Sequence, residues 1–227
     1  MNKLCVITAR GGSKRIPYKN IREFCGKPII AYSVEAAINS GLFEEVMVST
    51  DDEQIAEISI QYGAKVPFLR SAKTSDDYAT TRDVLEEVLL GYQKVGRSFD
   101  VLCCIYPTAP FVTGKKLQDA WKKLESSGAD MLIPMTRFSF PPQRSHVIRN
   151  GKVVPMYPEM MPMRSQDLEP MYHDVGQFYY YVVDAFWNKP NMEICMLEIP
   201  DTEAQDIDNM EDWEIAQMKY SLMATKD

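Results

Sequence analysis

Short apolar runs alternate along this chain with longer stretches of helical periodicity, and that alternation leaves few architectures open. LCVITA (4–9), EVMVST (45–50), DVLCCIYP (100–107) and DMLIPMT (130–136) are apolar over most of their length, as strands buried on both faces are. Between them, KPIIAYSVEAAINS (27–40) sets Ile30, Val34, Ala37 and Ile38 at helical spacing and stops at Gly41. DDEQIAEISIQYG (51–63) opens acidic and ends in Gly63, Thr80–Gly96 reads as a third helix, and LQDAWKKLESSG (117–128) as a fourth. Such repeats predict an α/β fold, a mainly parallel, doubly wound, Rossmann-like sheet covered on both faces.

The rhythm breaks after Thr136. Residues 137–172 are rich in Pro and Met, and within them SHVIRNGKVVP (145–155) reads as a β-hairpin. Asn150-Gly151 can both take the positive φ of a type I′ turn. The core pattern resumes with GQFYYYVVD (176–184), EICMLEIP (193–200) and a last helix around Asn209–Met223. The expected organisation is one domain over 1–227 with 137–172 as an inserted arm, a lid or an oligomerisation element. A chain of 227 residues buries roughly 70% of its unfolded surface, enough for a core without staples.

Composition narrows the class of function. The formal charge of −7 argues against broad nucleic-acid binding, and no apolar run is long enough to span a bilayer. The first apolar stretch is too short for a signal peptide, and five Cys, with Cys103 and Cys104 adjacent, read as reduced packing residues. A cytoplasmic protein is expected.

Within this acidic chain, ITARGGSKRIPYKN (7–20) is a cationic island. Arg10, Lys14, Arg15, Lys19, Arg22 and Lys27 are opposed in the local sequence by Glu23 alone. The loop follows the first strand, and in an open α/β sheet the carboxyl ends of the strands form the ligand crevice. Gly11-Gly12 suit amides converging on an anion, so a triphosphate is the predicted ligand, with Ala9, Arg10, Gly11, Gly12, Ser13, Lys14, Lys19 and Asn20 as its site. The motif is neither a P-loop, because Gly12-Ser13-Lys14 has the wrong order, nor GxGxxG. The bland alternative is a solvated basic loop with Gly for turn geometry.

Asp206 and Asp208 in AQDIDN fall on one side of an extended segment, with Ile207 turned to the core. Two roles fit: holding a nucleotide-bound Mg²⁺, or capping the last helix through Asp208 and Glu211. Thr50-Asp51-Asp52 and Asp76-Asp77 read as helix-capping clusters. His146 and His173 suggest no ligand pair, and neither a Ser-His-Asp arrangement nor an identifiable general base stands out.

Ile7–Ile21 resembles the signature of the acylneuraminate cytidylyltransferase family. KPIIAYSVEAAINSGLF, VSTDDEQIAE, GAKVPFLR, YPTAPF and QDID follow in that family's order and spacing, so the resemblance covers nearly the whole chain. It implies a nucleotidyltransferase-type sheet with a projecting hairpin arm, a homodimer, Mg²⁺ on Asp206 and Asp208, and CTP and a nine-carbon keto-acid sugar as substrates. It also implies that Arg70 and Thr80 line the nucleotide pocket, that Arg10, Lys14 and Lys19 act in catalysis, and that Tyr106, Thr108, Gln177 and Phe178 meet the sugar. Arg164 matches an arm arginine that relatives offer to the partner's site. YHDVGQFYY (172–180) is similar to the pseudaminic acid branch, where the sialic acid enzymes carry an NGA-type sequence. N-acetylneuraminate, legionaminate and Kdo are alternative sugars. A silent nucleotide-sensing or assembly protein on the same fold is the alternative of another class.

Overall fold

The computed structural model describes residues 1–224. The first strand, β1 (Lys3–Thr8), leads into the basic loop, which closes in a two-residue ladder of β2 (Glu23–Phe24) and β3 (Lys27–Pro28). There follow α1 (Ile29–Asn39), β4 (Glu45–Ser49), α2 (Glu53–Gln61), α3 (Thr81–Lys94), β5 (Val101–Ile105), α4 (Gly114–Ser127) and β6 (Met131–Arg137). The arm carries β7 (His146–Arg149) and β8 (Lys152–Pro155), and the chain returns through β9 (Tyr172–Asp174), β10 (Phe178–Val182), α5 (Val183–Asn188), β11 (Ile194–Glu198) and α6 (Met210–Ala224).

The central sheet runs β11-β6-β10-β5-β1-β4, with β9 also paired to β6. Strands β4, β1, β5, β6 and β11 share one direction, while β10 and β9 run against it. The sheet is therefore mostly parallel, with an antiparallel strand at its centre. Successive residues of a strand face opposite sides, and two cores result. Cys5, Ile7, Cys103 and Ile105 pack beneath Val34 of α1 and Leu117 and Trp121 of α4. Leu4, Val6, Leu102 and Cys104 pack against Leu85, Val88 and Tyr92 of α3 and Phe186 of α5. All five cysteines are free thiols.

Several boundaries differ from the sequence reading. Helix α1 starts at Ile29, because Lys27 and Pro28 belong to the β2–β3 ladder, and Ile38 lies exposed. Helix α4 begins at Gly114, where the Thr113 side chain accepts from the Lys116 amide. Val183 and Asp184 leave the strand and open α5. The hairpin turn holds: Asn150 and Gly151 sit at φ 52° and 73°.

A third cluster fixes the site. Ile16 and Phe24 from the basic loop pack with Ile29, Phe111, Ile207 and Trp213, so apolar burial draws the two chain ends together. At the opposite end of the sheet, the Glu45 side chain is 2% exposed and accepts from Tyr92 Oη, Arg97 Nη1 (2.6 Å) and Lys65 Nζ (3.2 Å). Burial pushes this carboxyl up, but those three donors outweigh it and hold it below its ordinary value. A folded-state value below the unfolded one stabilises above the ordinary carboxylate range, and the gain is lost as pH falls through the folded value. Glu45→Gln is expected to cost about 2 kcal/mol at neutral pH, measured by urea denaturation, and to flatten the acid limb of the stability profile.

Candidate active site

At the carboxyl ends of β1 and β5 the basic loop and the C-terminal segment wall a single cleft of about 550 Å³. Its cationic side is Arg10, Lys14, Arg15 and Lys19, its acidic side Asp206, Asp208 and Asp77, and its remaining walls include Ser13, Asn20, Tyr106 and Thr108. A larger cavity of about 670 Å³ lies at the other end of the strands, around Met1, Phe99, Trp121 and Trp187. Its walls are mainly apolar, and its lining sets one basic side chain, Arg97, against Asp100, Glu125 and Asp184, too little positive charge for a triphosphate.

The basic loop is anchored along its length. Asn20 is buried and its Nδ2 donates to the Arg10 carbonyl at 2.8 Å. The Gly11 amide donates to Asp51 Oδ1 at 3.0 Å, and a Cβ on Gly11 would stand 2.8 Å from Asp52 Oδ2. A side chain at position 11 would therefore displace the Asp52 carboxylate, whereas Gly12 faces open space. The Ser13 amide donates to the Gly11 carbonyl, so the Gly11 and Ser13 amides are both engaged within the protein. Ala9 is fully buried and continues β1 by donating to the Ser49 carbonyl.

The two chain ends meet directly. Lys19 Nζ donates to the Ile207 carbonyl at 2.7 Å, and Arg15 Nη2 pairs with Asp208 Oδ1 at 2.7 Å. Ile207 is fully buried, and the aspartates on either side of it line the cleft. Enclosure by the cleft walls, and then repulsion from Asp208, raise the Asp206 carboxyl above its usual range. Partial burial lowers the Lys19 ammonium despite both aspartates. Asp206 and Asp208 thus face one cleft from either side of the buried Ile207.

The capping alternative for Asp208 is resolved by its neighbour. The Asn209 side chain accepts from the Asp212 amide, while Asp212 Oδ2 accepts from the Asp208 and Asn209 amides. Asn209 with Asp212 forms the cap of α6, and the Asp208 side chain points to the cleft instead. Asp52 does cap α2, through the Ile55 amide at 3.0 Å. The capping reading of Asp76-Asp77 is corrected, because Thr80 and Asp83 form a reciprocal capping box at α3. Asp77 belongs to the cleft, paired with Arg10 Nη1 at 3.0 Å and with Lys14 Nζ.

Other candidates lie elsewhere. Thr80 is engaged as that cap and does not line the cleft. Arg70 is buried, donating to Ser49 Oγ (3.1 Å) and the Ser49 carbonyl (2.6 Å), and so braces the end of β4. Phe178 is fully buried in the sheet core, which removes it from the sugar-contacting set. Gln177 is 1% exposed, with Nε2 on the Glu203 carbonyl (2.6 Å) and Oε1 buried without a hydrogen-bond partner among the described residues. Its carbonyl accepts from the Tyr106 amide at 2.8 Å, which makes it a prop behind the cleft wall. Arg164 sits on the exposed arm, outside the cleft. Arg15 and Asp77 join the site through partners far away in the chain, Asp208 and Lys14, which no local sequence pattern signals.

The chain matches the cytidylyltransferase family model over residues 4–188. It is 41% identical over 228 aligned positions to the pseudaminic acid cytidylyltransferase of Campylobacter jejuni, spanning 98% of this chain and 97% of that one. It is 33% identical to the CMP-N,N'-diacetyllegionaminic acid synthase of Legionella pneumophila, with the same coverage. Its fold resembles that of a CMP:2-keto-3-deoxy-manno-octonic acid synthetase solved with CTP, at a TM-score of 0.72 and 19% identity over the full length of both chains. A family match over most of the chain, full-length relatives and a shared fold lead to one conclusion: this chain belongs to the cytidylyltransferase family.

Proposed function

We propose that the chain transfers CMP from CTP to the anomeric hydroxyl of a nonulosonic acid, pseudaminic acid foremost, releasing pyrophosphate. The observation that carries this reading is the single cleft in which Arg10, Lys14 and Lys19 face Asp206 and Asp208. The sugar assignment draws on the full-length similarity to the Campylobacter enzyme. CTP as substrate suits a cytoplasmic enzyme, and among the described residues no helix is long and apolar enough to cross a membrane.

In the reaction, the hydroxyl oxygen bonds to the α-phosphorus, the bridge to the β-phosphate breaks, and the hydroxyl proton passes to a base or water. The protein's part is alignment and charge compensation. Arg10, Lys14 and Lys19 hold the phosphates, with Arg10 offering a planar fork. Tyr106 and Thr108 line the same cleft beside them. A second cavity of about 490 Å³, bordered by His173, Asp174 and Gln205, shares Asp206 and Asp208 with the cleft. It offers room for the acceptor on the far side of the aspartates.

Among the described residues no group of three or more His, Cys, Asp or Glu could hold a metal by itself. Two carboxylates in a phosphate cleft are the donor set expected for Mg²⁺, which keeps water and substrate oxygens as its other ligands. Asp206 and Asp208 would hold it, and when bound it supplies charge compensation at the leaving pyrophosphate and acidifies the attacking hydroxyl.

A homodimer through the arm completes the proposal. Ile148 and Val153 are cross-strand partners on the hairpin, 76% and 69% exposed, and Phe140, earlier in the arm, is 88% exposed. Paired apolar side chains left open on a projecting hairpin mark an interface. Arg144, Arg149 and Arg164 on this arm are the cations it would offer to a partner's sugar carboxylate. Ile148→Asp with Val153→Asp is expected to give monomers in analytical ultracentrifugation, with near-normal CTP binding and much weaker sugar use.

The function itself is tested by pyrophosphate release from CTP across a panel of keto-acid sugars. Turnover with pseudaminic acid above all others is expected. Preference for another sugar reassigns the acceptor, and no release with any sugar favours a silent nucleotide-binding protein.

A further inference from the structure

The carboxylate that pairs with both Arg10 and Lys14 is not one of the proposed metal pair. Asp77 Oδ1 forms an ion pair with Arg10 Nη1 at 3.0 Å and Oδ2 accepts from Lys14 Nζ, while Arg10 Nη1 donates to the Asp76 carbonyl at 2.8 Å. One acidic side chain thus occupies two of the three cations assigned to the phosphates.

The segment that carries it is pinned at both ends and loose between them. Upstream, Glu87 accepts from the Ser71 amide, Ser71 Oγ and Thr74 Oγ1. Downstream, the Thr80–Asp83 capping box fixes the start of α3. Between these points, Asp76 accepts from the Tyr78 and Ala79 amides, a turn closed on itself. Among the described residues, the hydrogen bonds and ion pairs that tie Asp76–Ala79 to the rest of the chain come from Arg10 and Lys14. Tyr78 is 91% exposed and gives the segment no packing anchor.

Charge balance points the same way. Four cations (Arg10, Lys14, Arg15, Lys19) face three carboxylates (Asp77, Asp206, Asp208) in the cleft. A triphosphate brings about four negative charges at neutral pH. Among the described residues, the hydrogen bonds and ion pairs of the Asp77 side chain go to the two cations the nucleotide seeks.

We infer that Asp77 is a phosphate stand-in: it pairs with Arg10 and Lys14, yields them to CTP, and takes them back as pyrophosphate departs. This rests on the reading that Arg10 and Lys14 grip phosphate. The residue therefore competes with ligand, weakening binding while keeping the cations ordered and easing product release.

Calorimetric titration of the full chain with CTP and with pyrophosphate, each in the presence of Mg²⁺, tests the inference. Asp77→Asn, isosteric and at a solvent-exposed position, is expected to bind both about fivefold more tightly at low salt, the scale of an exposed ion pair. CMP, which lacks the β- and γ-phosphates, should change less. Asp77→Ser should act in the same direction, which separates loss of charge from a peculiarity of the amide. Unchanged or weaker binding of CTP and pyrophosphate by both variants overturns the inference, because Asp77 would then be supporting the cations rather than competing for them. Lys14→Ala controls for the reading beneath: it should weaken CTP binding, and unchanged affinity would overturn the phosphate grip itself.

Discussion

Asp208→Asn is expected to lower turnover about a thousandfold or more while the chain stays folded. The size follows from the several kcal/mol that a metal contributes to a phosphoryl-type transition state, at about 1.4 kcal/mol for each factor of ten. Folding is spared for reasons visible in the structure. The cap of α6 belongs to Asn209 and Asp212, and the buried member of the segment is Ile207. The Arg15–Asp208 pair that is lost has side chains 67% and 45% exposed, and pairs so exposed contribute little. Pyrophosphate release and a thermal melt, run side by side, check both halves. A folded variant with wild-type turnover removes Asp208 from the metal site, and an unfolded one returns it to a structural role.

Arg10→Ala is the second large effect, with kcat/KM for CTP falling about a hundredfold, the loss typical of one preorganised charged donor. The loop around it should survive, because Asn20 holds the main-chain carbonyl of residue 10 and not its side chain. Arg10→Lys should recover only part of the loss, since an ammonium cannot supply two parallel bonds to a phosphate. Steady-state kinetics with CTP varied at saturating sugar measure it. If Arg10→Ala kept wild-type kcat/KM, the assignment of this residue to the nucleotide would be lost.

Strand positions were legible because a strand buried on both faces is written as a bare apolar run, and β1, β4, β5 and β6 fall where LCVITA, EVMVST, DVLCCIYP and DMLIPMT place them. Direction was not legible. FYYYV of β10 looks like any other buried strand, and its reversal between β5 and β6 lies in long-range pairing that a local pattern does not encode. The polar–apolar–polar order of Asp206-Ile207-Asp208 did encode which side chain enters the core. The cap of α6 expected at Asp208 and Glu211 falls one residue later, on Asn209 and Asp212, a shift that hydrogen-bond geometry reveals and residue spacing does not. Asp77 was read as a local cap because helix starts attract acids, and a partner 63 residues away at Lys14 leaves no periodic trace. Phe178 illustrates the converse: adjacency to a site in sequence says nothing about facing it, because neighbours on a strand point to opposite sides.

The arm leaves the sheet at Arg137 and comes back at Tyr172, and those two residues are register partners in the β6–β9 ladder, with the Phe138 amide donating to the Met171 carbonyl one step further out. Departure and return are thus adjacent rungs, clamped together before the excursion begins. An arm exchanged for another at that clamp need not disturb the pairing of any strand behind it. Residues 138–171 can then diverge in sequence, or be exchanged by an engineer, without re-pairing the strands that wall the cleft.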